Sequence, residues 1–445
     1  MRHPVVVQGR ILTSAGLRQT RFAHDPETGR ITAVGDHLVG DTVEDHGGLV
    51  VVPGAIDIHV HFRDPGHPHK EDFASGTLSA AYGGVTTVFD MPNTDPATTS
   101  LEAYEAKRRD VATKAHVDWG LYGGITAPGE RLRRLAAVVP SFKVYLGEST
   151  GCVTLEEIGM LPEVFADLRE AGFRGLFAVH AEDRHTMAAA ALRHHDTPGL
   201  PGHDARRPVE AETAAFDALH EALVADEAAH GARPFRVHIA HTSTADLLQR
   251  LTGEASDVTF GVTPHHMFLD HSLPLGARGR VNPPLRAPRH ADALLDAFLS
   301  DRVPVLESDH APHTVAEKEK EVLDAPSGLP GVETMVPLMM ARVARGTLPL
   351  ATLVAAASTR PAGLMGLNKG RIAPGLDADY AVYDLGAVER VDAARLHSKA
   401  GWSPFRGMEA VFPRHVVLRG QAVVTDGVAV GRPGLGQEAV AKGVA

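Results

Sequence analysis

The chain has 445 residues, enough for a large core in two or three domains. Its formal net charge of −11 argues against nucleic acid or an anionic membrane surface as a partner, and no apolar stretch is long enough to span a bilayer. The single cysteine, Cys152, excludes an internal disulfide framework and is typical of a reducing cytoplasm, so any metal site must use His, carboxylate or modified Lys side chains.

Short runs of alternating apolar residues occupy the two ends of the chain. These runs are 5–7, 30–34, 379–384, 415–420 and 421–424. Such runs, bounded by turn residues, are typical of small antiparallel strands. We therefore predict one small β-sandwich domain built from residues 1–52 and 367–430. The Gly/Pro-rich tail, 431–445, is expected to be loosely ordered.

Residues 53–366 alternate strand-like runs with helix-like stretches such as 75–81, 154–170 and 209–229, which predicts βα units and a parallel sheet. The eight strand candidates are 50–61, 85–91, 117–122, 138–146, 175–180, 235–241, 257–263 and 303–309. Eight strands in this order are what a (β/α)8 barrel of the TIM type requires. The predicted fold class is α/β, and side chains beyond the C-terminal ends of the strands should line an active site.

The first barrel strand ends in His59-Val60-His61. Because side chains alternate along a strand, both imidazoles lie on one face, where they can bind a divalent metal. An isolated pair of this kind more often only packs or forms hydrogen bonds. Polar residues at the other predicted strand ends change this balance, and they include Asp90, Asn93, His180, His241, Asp309 and His313. Together with Lys143 on the fourth strand, they favour a metal centre.

Lys143 is unusual because burying a lone ammonium in an apolar strand is costly. It could pair with Glu148 or extend to solvent. Alternatively, its amine has reacted with carbon dioxide to form a carbamate, an anionic ligand able to bridge two metals. The residues alone do not decide between these explanations.

His238 lies three residues before His241, on the opposite face of the predicted strand. We therefore take His241 as the metal ligand and His238 as structural.

Several ordered motifs point to one family. They are residues 53–66 (PGAIDIHVHFRDPG), 90–94 (DMPNT), 142–146 (FKVYL), 180–182 (HAE), 263–266 (TPHH), 281–286 (VNPPLR), 308–313 (SDHAPH) and 330–334 (PGVET). From about Pro53 to Thr359 the chain resembles the dihydroorotases of the cyclic amidohydrolase family, which also includes hydantoinases and allantoinases.

The resemblance implies two zinc ions per subunit, bridged by carbamylated Lys143 and a hydroxide. The implied metal ligands are His59, His61, Lys143, His180, His241 and Asp309. His59 and His61 bind the more buried ion, which Asp309 also contacts, whereas His180 and His241 bind the more exposed ion. His265 and His266 are expected to pack around the centre.

The resemblance also implies reversible hydrolysis of (S)-dihydroorotate to N-carbamoyl-L-aspartate in pyrimidine biosynthesis, with Asp309 as the catalytic proton carrier. The implied substrate-binding residues are His61, Arg63, Asn93, Asn282, His313, Pro330 and Gly331. Arg63 would hold the substrate carboxylate by a two-pronged contact. The alternative for Arg63 is a salt bridge to Asp64 or Glu71.

Two rival functions share these features: a hydantoinase or allantoinase with the same metals, and an inactive scaffold of aspartate transcarbamoylase. Residues 63–66 and 91–94 favour dihydroorotate, and every expected ligand position is filled, which argues against the scaffold. A homodimer is expected from the resemblance, and association with aspartate transcarbamoylase is a further hypothesis. For the polar segment 314–329 we expect a solvated helix face, with a mobile lid as the alternative.

Overall fold

The structure is a computed structural model that describes residues 2–148, 153–253 and 257–440, so that Cys152 lies outside the described residues. Parallel pairing joins three strands in one sheet and six in another. In chain order they are Ala55–Val60, Val85–Asp90, Asp118–Leu121, Gly123–Ile125, Ser141–Tyr145, Leu176–His180, Arg236–Ile239, Thr259–Val262 and Val305–Leu306. Each of the eight predicted runs contains one of these strands, so the predicted parallel α/β arrangement is confirmed.

The parallel strands are buried on both faces, as every residue of the first two strands shows. Burial on both faces explains why these strands appear in the sequence as continuous apolar runs. Tyr122 connects the last strand of the three-stranded sheet to the first strand of the six-stranded sheet along the chain, and its N–H donates to the Asp90 carbonyl (3.0 Å). A second contact joins the other edges of the two sheets, where the His61 N–H donates to the His310 carbonyl (2.7 Å). The second contact places the segments after the first and last strands side by side.

The predicted first run, 50–61, is in fact two strands that meet at Gly54. The strand Val39–Pro53 belongs to another sheet, and Ala55–Val60 begins the parallel series. A Cβ atom at Gly54 would lie 2.2 Å from Thr86 Oγ1. Only glycine therefore lets the chain pass so close to the second parallel strand.

Helices cover the parallel strands. The α-helices are Phe73–Tyr82, Leu101–Val111, Glu130–Ala136, Leu161–Glu170, Arg184–Arg193, Gly199–Arg206, Val209–His230, Ala245–Leu251, Pro264–Phe268, Pro288–Leu299, Val332–Ala344, Leu350–Val354 and Arg360–Met365. Shorter 3-10 helices span Ile158–Met160, Gly276–Gly279, Ala316–Glu319 and Ala393–Arg395, and a π-helix spans Ala355–Thr359. Within the described ranges, none of the helices combines the length and apolarity needed to cross a membrane.

The helix predicted over 154–170 begins later than expected. Its α-helical part is Leu161–Glu170, after the 3-10 turn, with Pro162 in its first turn. Proline is tolerated at that position because the first N–H groups of a helix have no partner within it. The sequence prediction was therefore wrong about the first residues of this helix, whereas the predicted 75–81 and 209–229 lie within observed helices.

Both termini contribute to one eight-stranded sheet. Its strands, from edge to edge, are Val428–Ala429, Gln421–Thr425, Pro413–Leu418, Tyr380–Tyr383, Val39–Pro53, Arg2–Thr13, Gly16–Asp25 and Arg30–Val34. A separate pair joins Glu389–Arg390 to Glu409–Ala410. The prediction that the termini form one β-domain agrees with this sheet, and the packing of its strands into two layers of a sandwich stays a prediction.

The segment 434–439 packs against the parallel-strand domain. The Ala439 N–H donates to the Trp119 carbonyl (2.7 Å), and Glu438 accepts a hydrogen bond from Arg108 Nε (2.7 Å). The expectation of loose order is wrong for this part of the tail, because backbone pairing and an ion pair hold it.

Candidate metal centre and active site

A small cavity lies at the C-terminal ends of the parallel strands. Most of the predicted site residues line it: His59, His61, Arg63, Asn93, His180, His241, Asn282 and Asp309. Four residues that the sequence analysis gave no role complete the lining, namely Tyr145, Ala311, Ser327 and Gly328. The fold thus brings together side chains from distant parts of the chain.

His59, His61 and Asp309 form a compact group whose potential ligand atoms all lie within 4.8 Å of one another. Asp309 Oδ1 lies 3.4 Å from His59 Nε2 and 3.2 Å from His61 Nε2. Burial lowers the pKa of His59 to about 4 and holds the pKa of His61 well below its usual value. Both rings are therefore neutral near pH 7, which is the form that binds a metal.

Three cavity residues have a left-handed backbone: Arg63 (φ 61°), His241 (φ 40°) and Asp309 (φ 45°). Residues other than glycine rarely adopt this conformation, and such strain concentrates at functional sites. Each of the three follows the end of a parallel strand, so the turn that ends the strand also places a side chain on the cavity.

His180 and His241 form a second pair of imidazoles. His180 Nδ1 lies 3.1 Å from His241 Nε2, and both rings are buried. Burial lowers the pKa of His180 although Glu182 partly opposes this, and it holds the pKa of His241 well below its usual value. The ring centroids of His241 and His59 are 5.0 Å apart, so the two groups of potential ligands are adjacent.

Lys143 lies on the fourth predicted strand, completely buried. Among the described residues its Nζ has no hydrogen-bond partner, and it lies 5.2 Å from the centre of the Tyr145 ring. Burial lowers the pKa of Lys143 to about 8, although Glu307 and Asp309 partly oppose this shift. The amine therefore does not extend to solvent, and its reactive neutral form is accessible near neutral pH.

Arg63 is buried, with 5% of its surface exposed. Its Nε donates to the Pro312 carbonyl (3.3 Å), and its Nη2 lies 3.2 Å from His313 Nε2. The acidic residues considered as alternative partners are engaged elsewhere: Asp64 with Lys114 (2.8 Å), and Glu71 with Ser75 and Ser398. The guanidinium thus lies on the cavity, and no carboxylate of the described residues forms an ion pair with it.

Asn93 and Asn282 line the same cavity as Arg63. Asn93 Oδ1 accepts a short hydrogen bond from His61 Nδ1 (2.6 Å), which fixes the orientation of that ring. Asn282 Oδ1 lies 3.0 Å from His203 Nε2. Both amides are therefore held in place by neighbouring histidines.

Some predicted site residues lie away from the cavity lining. Pro330 and Gly331 line a small neighbouring pocket, where the Gly331 N–H donates to His310 Nδ1 (3.1 Å). His313 lies behind Arg63 instead of on the lining. His238 faces Thr259 and Glu307, so the choice of His241 over His238 as the cavity histidine agrees with the structure.

Segment 314–329 agrees only in part with the solvated helix face that we expected, since Glu319, Lys320 and Glu321 are exposed but other residues are buried. Lys318 is buried, and its ammonium donates to the carbonyls of Arg280 (3.0 Å) and Pro326 (2.9 Å). The same segment contributes Ser327 and Gly328 to the cavity. The prediction of a mobile lid is untested.

Glu307 is a residue whose role the sequence analysis missed. Its side chain is completely buried, with Oε2 3.4 Å from His59 Nδ1 and 3.6 Å from His238 Nε2. Burial raises the pKa of Glu307, but the two histidines outweigh this and hold it below its usual range. The sequence did contain a signal for this role, because Glu307 is an acidic residue in an apolar strand-like run, two positions before Asp309.

Comparisons with known proteins place this site in a family. A model described as Dihydro-orotase-like matches residues 48–244, and an amidohydrolase family model matches 322–424. The dihydroorotase of Halobacterium salinarum is 40% identical over 427 residues, covering 94% of this chain and 96% of that protein. The chain belongs to the dihydroorotase family. Another member, the dihydroorotase of Methanosarcina acetivorans, is 36% identical and covers 92% of this chain and 90% of its own length.

Solved structures of cyclic amide hydrolases share the fold of this dihydroorotase family member. The L-hydantoinase (dihydropyrimidinase) from Arthrobacter aurescens has a TM-score of 0.91 and 28% identity, covering 98% of this chain and 100% of that one. A D-hydantoinase has a TM-score of 0.86 and 28% identity, covering 97% and 98%. The family resemblance predicted from the motifs is therefore confirmed.

Proposed function

We propose that this chain is a dihydroorotase that interconverts (S)-dihydroorotate and N-carbamoyl-L-aspartate in pyrimidine biosynthesis. The observation that carries the proposal is the position of the Arg63 guanidinium on the same cavity as the histidine cluster. A buried cation is stabilised by an anionic partner, and dihydroorotate has a carboxylate that hydantoin and allantoin lack. The site therefore favours an anionic ring over a neutral one.

The residues present fit two divalent metal ions, and we infer zinc. His59, His61 and Asp309 would hold one ion, His180 and His241 the other, and carbamylated Lys143 would bridge them. The fit rests on neutral, buried imidazoles and on the buried amine between acidic residues. When bound, the zinc pair supplies Lewis acidity and lowers the pKa of water.

We propose that Asp309 transfers the proton between the attacking water and the substrate. Its carboxylate lies on the cavity, 3.4 Å from His59 Nε2 and 3.2 Å from His61 Nε2, where it can reach both a water held at the metal position and the ring of the substrate. It would accept a proton from the attacking water and deliver it to the departing ring nitrogen. In the ring-closing direction the same carboxylate would carry the proton the opposite way.

Arg63 would bind the substrate carboxylate through two N–H groups, with Asn93 as an additional donor and Asn282 against the ring. His313 would support Arg63 from behind. Burial lowers the pKa of His313 far below its usual value, and Arg63 adds to this effect, so that His313 is neutral beside the guanidinium. Contacts from Pro330 and Gly331 to the substrate remain a prediction.

We further infer that residues 53–366 form one closed (β/α)8 barrel. Two observations support this closure: the chain passes directly from one parallel sheet to the other at Tyr122, and the His61–His310 backbone bond joins their other edges. Residues 1–52 and 367–430 would be the accessory β-domain. A cytoplasmic homodimer and an association with aspartate transcarbamoylase remain predictions, which sedimentation of the chain alone and with that enzyme would test.

Hydrolysis of L-dihydroorotate, hydantoin and allantoin by the purified, zinc-loaded protein tests the proposed function directly. We expect turnover of dihydroorotate and much slower turnover of both neutral rings, because only dihydroorotate offers a carboxylate to Arg63. A preference for hydantoin would identify a hydantoinase. Absence of any turnover at full zinc content would instead favour the scaffold function.

Replacing Arg63 by methionine should lower kcat/KM for dihydroorotate by about 10- to 100-fold, since a hydrogen bond to a charged group contributes about 1.5–3 kcal/mol. Most of the loss should be in KM, because the carboxylate is held in both the ground and transition states. Arg280→Met is a matched control, since Arg280 is half-buried nearby but does not line the cavity. Equal losses in the two variants would contradict the assignment.

A further inference from the structure

The His180 imidazole is bonded along both of its edges. Its Nε2 lies 2.6 Å from Glu182 Oε2, and its Nδ1 lies 3.1 Å from His241 Nε2. An ionised carboxylate can only accept hydrogen bonds, so the nitrogen that faces Glu182 must carry the proton. In the neutral ring, Nδ1 then has the lone pair and faces His241.

Glu182 is held in its ionised form by Arg207. Arg207 Nε donates to both carboxylate oxygens (3.1 and 3.2 Å), and its Nη2 also donates to Oε2. A guanidinium that donates to both oxygens is the usual partner of an ionised carboxylate. Glu182 is therefore the acceptor toward the His180 imidazole.

The segment that carries Arg207 is anchored on the His241 side of the cavity as well. Arg286 donates through Nη1 to the Arg207 carbonyl and to Asp204 Oδ1 (2.8 Å). Its Nε donates to Ser243 Oγ (2.9 Å), two residues beyond His241. One buried network thus reaches the neighbourhood of both imidazoles.

We propose that Glu182 and Arg207 are positioning residues that keep Nδ1 of His180 directed at the metal position it shares with His241. The inference rests on the metal centre proposed above. Neither side chain lines the cavity, because Glu182 lies behind the ring and Arg207 behind Glu182. They act on the ligand through its tautomer and its orientation.

A purely structural ion pair would have a different effect. Breaking such a buried pair lowers stability but does not change the affinity of one particular metal position. The network includes a second buried carboxylate, Glu212, which accepts hydrogen bonds from the Ser243 N–H (3.2 Å) and Oγ (2.9 Å). Within the described part of the chain Glu212 bonds no imidazole, so Glu212→Gln disturbs the network without affecting the His180 tautomer.

The test is a chelator-competition titration of zinc on the full-length protein, with the absorption spectrum of the cobalt-substituted protein as a second readout. Glu182→Ala should weaken one of the two zinc equivalents by about 10- to 100-fold and leave the other unchanged. Glu182→Gln keeps an acceptor for Nε2–H and should retain most of the affinity. Glu212→Gln should bind both equivalents as the wild type does.

Circular dichroism shows whether Glu182→Ala is folded. If it is not, Arg207→Met replaces it as the test variant and should weaken the binding of the same zinc equivalent. Wild-type affinity for both ions in a folded Glu182→Ala or Arg207→Met protein would overturn the proposal, as would an equal loss in Glu212→Gln. A wild-type protein that binds no zinc pair would instead refute the metal centre of the proposed function, so the two failures are distinguishable.

Discussion

Replacing Asp309 by asparagine should lower kcat for dihydroorotate by about 100- to 10,000-fold, the range that a positioned proton carrier contributes. Asparagine keeps the shape of the side chain and one oxygen that can face His59 and His61. It cannot accept and return the proton. The loss should therefore fall on kcat, with KM changed much less.

Zinc content must be measured on the same samples, because Asp309 Oδ1 lies within 3.4 Å of both His59 Nε2 and His61 Nε2. A variant that keeps its zinc and loses turnover assigns the loss to proton transfer. Asp167→Asn is the control, since Asp167 is also a buried carboxylate but pairs with Arg133 away from the cavity. Turnover within tenfold of the wild type at full zinc would contradict the role of Asp309.

The histidine cluster was predictable because its residues follow simple rules of strand geometry. His59 and His61 are separated by one residue at the end of a strand, and His180, His241 and Asp309 lie at or just after other parallel strands. The carboxyl ends of parallel strands meet at one rim of a barrel. A position in sequence therefore translates directly into a position on the cavity.

The residues that support the cluster were much less predictable. Arg207 lies between two helices, where no periodic pattern assigns it a partner, and its contact with Glu182 depends on loop path and side-chain rotamers. Glu307 directly follows the last parallel strand and contacts His59 on the first one. Periodicity describes which face of an element is buried, but it does not describe which distant polar side chains meet there.

One local prediction failed for a physical reason that the sequence did contain. Pro162 marks the first turn of its helix, which therefore begins at Leu161 and not near residue 154. Gly331 lies directly before the helix Val332–Ala344 and bonds to His310. The motif around Pro330 therefore also begins a helix, and its contact with substrate stays a prediction.

Replacing Lys143 by methionine should have opposite effects on function and on stability. Without the amine no carbamate bridge can form, so zinc should be lost and kcat should fall by about 1,000-fold or more, since the metals supply several kcal/mol of transition-state stabilisation. Methionine nevertheless has a similar length and no charge, so it fits the apolar strand. Two measurements check for the bridge. Zinc analysis shows whether the variant has lost the metal, and the intact mass of the wild type should exceed the mass calculated from its sequence by one CO2.

In zinc-free, carbon dioxide-free buffer the methionine variant should unfold at higher denaturant concentration than the wild type. A folded-state pKa of about 8 instead of 10.5 corresponds to a destabilisation of about 3 kcal/mol wherever the amine is charged in both states. Because the unfolded chain binds more protons between these pKa values, wild-type stability rises with pH from about 8 to 10.5. The advantage of the variant should therefore be largest near pH 7 and shrink across that interval. A variant that is less stable than the zinc-free wild type at pH 7 would show that the charged amine has a stabilising partner, which would contradict a lysine buried for its reactivity.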